Sequence, residues 1–186
     1  MSTSSQVLDV TTARLTLSRA QNDDFAELHA LHSDERVWEH LPSGRHTTTA
    51  QTQALIDRYD AGWQANALDV WVARDRLTQT LVGMGGPSLR GERAWNLYYR
   101  LAPEAWGRGF AQEIVHAARS ATVSTGRTLP HVAFLLEHNE GSRRAAERAG
   151  LELVWRGADR GNPDPAAIRL VYADQPLDDE TLALFI

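Results

Sequence analysis

Apolar positions along the chain switch between two spacings, and each switch marks a new element. Residues 13–20, "ARLTLSRA", alternate, with Leu15 and Leu17 on one face, and predict a first strand. The stretch "NDDFAELHALHSDERVWEHL" follows. Asn22 can cap a helix there, Asp23 and Asp24 suit its positive end, and Phe25, Leu28 and Leu31 recur at helical spacing. After the loop "LPSGRH", residues 47–67 predict a second helix, with a threonine cap and Leu55, Tyr59 and Trp63 on one stripe. "LDVWVAR" and "TLVGMGG" read as strands of a hairpin around the polar turn "DRLTQ". "AWNLYYRLA" is an aromatic-rich strand that Pro103 ends.

The second half continues the pattern. A helix is predicted from Gly109 to Thr125, with Phe110, Ile114, Val115, Ala118 and Ala121 apolar and Gly126 as its stop. "HVAFLLEH" is nearly all apolar, as in a strand covered on both faces. "NEGSRRAAERAG" opens with Asn139 as a cap and closes at Gly150. Two last strands, "LELVWRG" and "AAIRLVYA", flank the loop "ADRGNPDP". The order is strand, two helices, three strands, helix, strand, helix, two strands, which predicts one mixed α/β sheet with helices on both faces. Residues 1–12 are expected to be a mobile N-terminus, 13–174 the domain, and 175–186 a tail. The tail ends in Leu182, Leu184, Phe185 and Ile186, and is expected to dock on the body of the fold or on a second subunit, a homodimer being favoured.

Composition narrows the function. The 186 residues are the size of one domain. The absence of cysteine excludes a thiol nucleophile, thiolate metal sites and disulfides. The N-terminus lacks the basic and apolar regions of a signal peptide, and no apolar run is long enough to span a membrane, so a cytoplasmic protein without membrane contact is expected. A formal net charge of −5 argues against a nucleic-acid partner. It leaves room for a small anion held locally by backbone amides and arginines.

Such a place exists in the sequence. "PEAWGRGFAQE" puts two glycines between the end of a strand and the start of a helix. A helix N-terminus offers unpaired N–H groups, and glycine lets a phosphate approach them. A lone G-x-G is more often an ordinary turn. Here, however, a buried strand ending in Asn139 follows the helix.

These residues resemble the GCN5-related N-acetyltransferases, in which a Q/R-x-x-G-x-G/A segment wraps the pyrophosphate of acetyl-coenzyme A. Gly109 and Ala111 fill its last two positions, and Trp106 stands in place of Gln or Arg, as is ordinary in the RimJ/RimL-like branch. "HNEGSRRAAERAGLELV" is similar to the family's N-x-x-S-x-x-x-x-E-K-x-G-F segment, through Asn139, Ser142, Glu147, Gly150 and Leu151. The resemblance spans nearly the whole chain. It implies a single-domain, mostly antiparallel mixed sheet of the acyl-CoA N-acyltransferase type, acetyl-CoA as acetyl donor, no metal, and an amine acceptor. It also implies cofactor contacts at Tyr99, Leu101, Trp106, Gly107, Arg108, Gly109, Phe110, Ala111, Asn139 and Arg144.

The implied chemistry is direct attack of an amine on a thioester. The amine must be unprotonated, the oxyanion needs fixed donors, and the departing thiolate benefits from a proton donor. By resemblance, a backbone N–H near Tyr99 to Leu101 serves the oxyanion. The family's usual tyrosine donor falls at Ala146, and Ser142 takes its place in the RimJ/RimL-like branch. Asn139 and Ser142 are therefore the candidate catalytic pair, beside the structural explanations of a helix cap and an ordinary first-turn serine.

Asn96 stands near the position where family members often place a glutamate base. Glu92, Glu137, His138, Asp69 and water remain as alternatives. His29 and His32 lie three apart, but with no third ligand they are expected on a solvated helix face. His131 and His138 flank the buried strand and are expected to be structural. Trp38, Trp63, Trp71, Trp95 and Tyr98 supply both core and candidate acceptor-pocket aromatics. The acceptor is left open between a peptide α-amine, an amino acid, a polyamine and another small amine. A non-catalytic acetyl-CoA-binding sensor or interaction module is the alternative function.

Overall fold

The computed structural model describes residues 9–186. Its eight strands are β1 Val10–Thr11, β2 Leu15–Ser18, β3 Trp71–Asp75, β4 Leu81–Arg90, β5 Ala94–Leu101, β6 His131–Leu136, β7 Glu152–Ala158 and β8 Ile168–Ala173. The helices are α1 Phe25–Ser33, α2 Thr49–Asn66, α3 Phe110–Ser124, α4 Glu140–Arg148 and the short α5 Asp179–Leu182. The strands form one sheet in the order β1-β2-β3-β4-β5-β6-β8-β7. Neighbours are antiparallel except for β5 and β6. The expected mixed, mostly antiparallel sheet is therefore observed.

One face of the sheet is covered by α1 and α2. Leu28, Leu31 and Tyr59 pack there against Val72, Met84 and Tyr98. On the other face Phe110, Ile114 and Val115 of α3 pack with Ala73, Leu97 and Leu101. Burying each large apolar side chain of α3 contributes about 1.5–3 kcal/mol. Gly85 allows α3 to lie close, since a Cβ there would meet the Ile114 Cγ2 at 2.7 Å. α2 starts with a capping box in which Thr48 and Gln51 exchange hydrogen bonds. Among the described residues, no helix is long and apolar enough to cross a membrane.

One expectation needs revision, and two segments are seen in more detail. The periodic stretch 22–41 is not one helix. Asp34 is extended, and its carboxylate accepts from the Arg36 N–H at 2.9 Å, so a short 3-10 turn, Glu35–Trp38, leaves α1 at a new angle. Residues 1–8 of the stretch expected to be mobile lie outside the described residues, but Val10 and Thr11 form a strand on Thr16 and Leu17. The tail docks on its own chain: Phe185 is 1% exposed among Ala94, Val132 and Val171. The Arg169 Nη1 donates to the Phe185 carbonyl at 2.8 Å, and Arg93 pairs with Asp178 and Glu180.

Candidate active site

The parallel pair β5–β6 is joined at only two positions, Trp95 with His131 and Asn96 with Val132. Beyond them the strands part, and a cavity of about 820 Å³ opens between them. Hydrogen-bond direction along β5 shows what lines the gap. The Trp95 N–H donates to the Pro130 carbonyl at 2.9 Å, toward β6, and the Ala102 N–H to the Val82 carbonyl at 2.9 Å, toward β4. Directions alternate along an extended strand. The N–H groups of Tyr99 and Leu101 therefore face the opening, where β6 has withdrawn.

The glycine loop lies at the same end of the cavity. Pro103–Ala105 turns the chain, and Gly107 and Gly109 adopt φ of 71° and 81°. Such left-handed backbone suits glycine. Gly109 is the N-cap of α3 and has no side chain to spend on the helix end. The N–H groups from Gly107 through Gln112 find no acceptor among the described residues. A run of free amides at the positive end of a fifteen-residue helix has the chemistry to hold a phosphate. Arg14 braces it from β2's approach, donating from Nη1 to the Arg108 carbonyl at 2.8 Å and from Nε to Glu113 at 2.8 Å.

α4 supplies the opposite wall. The Asn139 side chain caps it, Oδ1 accepting from the Ser142 N–H at 3.1 Å. Asn139 and Ser142 both line the cavity, as does Ala146 at the position of the expected family tyrosine. The Ser142 hydroxyl lies beside the Tyr99 phenol. Burial pushes that phenol's pKa up, and the serine contact opposes the shift. Tyr99, Leu101, Trp106, Gly107 and Ala111 also line the cavity, and the Trp106 indole N–H donates to the Leu101 carbonyl at 3.0 Å. Phe110 instead points into the core, with the Arg14 and Arg108 guanidinium groups over its ring. Arg144 pairs at the surface with Glu140 at 2.9 Å and does not line the cavity.

The candidate bases separate clearly. Glu92 is exposed in the β4–β5 turn. Arg156 holds Glu137 below the usual carboxylate range through bonds of 2.7 and 3.1 Å. Asp69 is buried away from the cavity, and burial raises its pKa to about 6. Only His138 lines the cavity, and its Nε2 donates to the His40 carbonyl at 2.9 Å. Asn96 is buried at the cavity wall.

The histidine readings are mixed. His131 is structural, bonded to Asp174 at 2.7 Å and to Thr122 at 2.8 Å. His32 does not lie on a solvated face. It is 1% exposed, stacks on His46, and burial lowers its pKa to about 3. His29 bonds the Thr52 hydroxyl at 2.8 Å.

Sequence reading missed His40 and Arg100. Both line the cavity from the α1/α2 side, with the Arg100 guanidinium 3.6 Å over the Trp38 ring. Burial, then the charges of Arg100 and His138, lower the His40 pKa to about 4. Alternation along β5 places Arg100 on the face of Tyr98, which was the one available signal.

Comparison with known proteins agrees with this geometry. The sequence model of the acetyltransferase (GNAT) domain matches residues 14–152. An acetyltransferase of the GNAT family from Bacillus anthracis superposes with a TM-score of 0.77 at 17% identity, over 89% of this chain and 97% of that one. RimL, a ribosomal alpha-N-protein acetyltransferase in complex with coenzyme A, gives 0.72 at 17% identity, over 88% and 95%. Spermidine N-acetyltransferase from Vibrio cholerae, in complex with coenzyme A and spermine, gives 0.70 at 16% identity, over 87% and 95%.

Proposed function

The chain belongs to the GNAT family of acetyl-CoA-dependent acetyltransferases, and from that premise we propose that it transfers an acetyl group to a primary amine by direct attack, in the manner of the RimJ/RimL-like branch. The acceptor is a protein N-terminus or a small-molecule amine. The observation that carries this reading is the parted β5–β6 pair, whose free N–H groups lead up to the amide-rich start of α3.

The residues fit acetyl-CoA. The amides of Gly107 to Gln112 suit its pyrophosphate, and the parted strands take the pantetheine arm. In that arrangement the Tyr99 or Leu101 N–H faces the thioester carbonyl and stabilises negative charge developing there. The amine nitrogen forms the new C–N bond, the C–S bond breaks, and the thiolate leaves as free thiol after gaining a proton. Ser142 stands on the wall from which a hydroxyl can donate to the departing sulfur. With no cysteine in the chain, acetyl transfer through a cysteine thioester is excluded. His138 and water are the candidates to receive the amine's proton.

Ala146 in place of a tyrosine, and Asn96 in place of an acid, favour a second reading, a non-catalytic acetyl-CoA-binding module. Free-thiol release from acetyl-CoA with a panel of small amines and N-terminal peptides separates the two. Amine-dependent release supports the transferase. Acetyl-CoA binding without release for any amine supports the module.

A further inference from the structure

The cavity has a second wall, on the α1/α2 face of the sheet, formed by Trp38, His40, Tyr98 and Arg100 with Phe134 and Arg169. Three arginines line the cavity as a whole. Arg36 is paired with Asp34 at 2.6 Å and Glu104 at 3.1 Å, and Arg169 is paired with Asp159. Arg100 has no carboxylate within 4 Å among the described residues. Its guanidinium is nevertheless held in place. It lies over the Trp38 ring, donates from Nη1 to the Val37 carbonyl at 3.1 Å, and sits 3.3 Å from the His40 Nε2.

A partly buried guanidinium without a counter-charge is costly, and a planar fork fixed by stacking is preorganised for a carboxylate. Neighbouring groups do not neutralise it: His40 stays uncharged at pH 7, Glu140 is committed to Arg144, and Glu39 is exposed. Placement sets the distance at which an anion is wanted. Arg100 lies between Tyr99 and Leu101, whose N–H groups face the opening where the thioester carbonyl would lie. Its side chain leaves the sheet on the face opposite α3. A group bound to Arg100 is thus close to the point of acyl transfer. The bond from the His138 Nε2 to the His40 carbonyl, 2.9 Å long, ties the turn after α1 to the end of β6 and narrows this side of the cavity.

We propose that the acceptor is a small amine carrying a carboxylate beside the amine, an amino-acid type of substrate, with Arg100 as the residue that selects it. This rests on the transferase reading. It excludes a polyamine, which brings only positive charge to Arg100, and a peptide N-terminus, whose nearest carbonyl is a neutral amide.

The test compares phenylalanine with phenylalaninamide and putrescine in the thiol-release assay, with rates expressed per unprotonated amine. The wild-type protein is expected to favour phenylalanine over its amide by about ten- to a hundredfold in kcat/KM, the value of one charge-assisted pair. Arg100→Gln is expected to bring that ratio near one. Arg100→Lys, which keeps the charge and loses the fork, should give an intermediate ratio. The acetyl-CoA dissociation constant serves as the folding control for both variants. Equal rates with the acid and the amide, a preference for putrescine, or a ratio untouched by Arg100→Gln overturns this inference and leaves the transferase reading standing. An absence of thiol release with every amine, from protein that binds acetyl-CoA, overturns the transferase reading and this inference with it.

Discussion

Replacing Gly109 by alanine probes the proposed phosphate cradle with a single methyl group. Gly109 has φ of 81°, and a Cβ built on it comes no nearer than 3.5 Å to the Arg14 Nη2. The protein therefore has room for the methyl, and the structural cost is backbone strain, about 1–2 kcal/mol for a non-glycine residue in left-handed backbone. For a chain of this size that lowers Tm by about 2–8 °C. The functional cost is separate. The methyl either stands over the free N–H groups of the loop or drives the peptide out of the conformation that aligns them. Losing one amide-to-phosphate bond weakens acetyl-CoA binding by about ten- to a hundredfold, since a bond to a charged group contributes about 1.5–3 kcal/mol. Gly126→Ala is the matched control. Its φ is 71°, no atom lies within 4 Å of the added Cβ, and it sits at the far end of α3. It should show the same loss of Tm with unchanged affinity. Calorimetric titration of both variants with acetyl-CoA reads the difference. Equal affinities for wild type and Gly109→Ala would refute the cradle.

Ser142→Ala is expected to lower kcat by about ten- to a hundredfold with nearly unchanged acetyl-CoA affinity, because a hydrogen bond to sulfur strengthens as charge builds on it; normal turnover would make the serine structural. Ala146→Tyr on that background restores the usual family donor and should recover part of the lost rate. Phe185→Ala removes the buried anchor of the tail and should cost about 3–5 kcal/mol, or about 6–20 °C in Tm; an unchanged melting curve would count against docking of the tail. Asp69 has a folded pKa of about 6 against an ordinary 3.8, so it favours the fold when protonated and disfavours it when ionised. Its penalty is absent below pH 3.8, grows as pH rises to 6, and is then constant at roughly 3 kcal/mol. Asp69→Asn keeps an oxygen for the Val70 N–H and should raise Tm at pH 8 but not near pH 4; an equal effect at both would refute the burial argument.

Much of this site was legible because its signals are local. The glycines after "LYYRLAPEAW" and the cap at Asn139 are short-range patterns, and both occur where the spacing predicted. The break at Asp34 was missed because the helical period continues through it. A side-chain cap on the Arg36 N–H competes with the helix there, and periodicity does not register that competition. The opening between β5 and β6 has no sequence signature, since it depends on how few residues of two distant strands pair. Arg100 lies in an aromatic-rich strand and belongs to no motif. Its meaning lies in what the fold withholds from it, a carboxylate, and no spacing rule reports that. The tail showed that Phe185 must be covered, while its cover comes from β5, β6 and β8 in the folded chain.

The central claim, direct transfer from acetyl-CoA to an amine held in one cavity, is tested by initial rates measured while both substrates are varied. Direct attack requires both substrates on the protein together, so double-reciprocal plots should intersect, and mass spectra of the protein taken during turnover should show no acetylated chain. Parallel lines with an acetylated protein would contradict the account by showing that the chain itself carries the acetyl group.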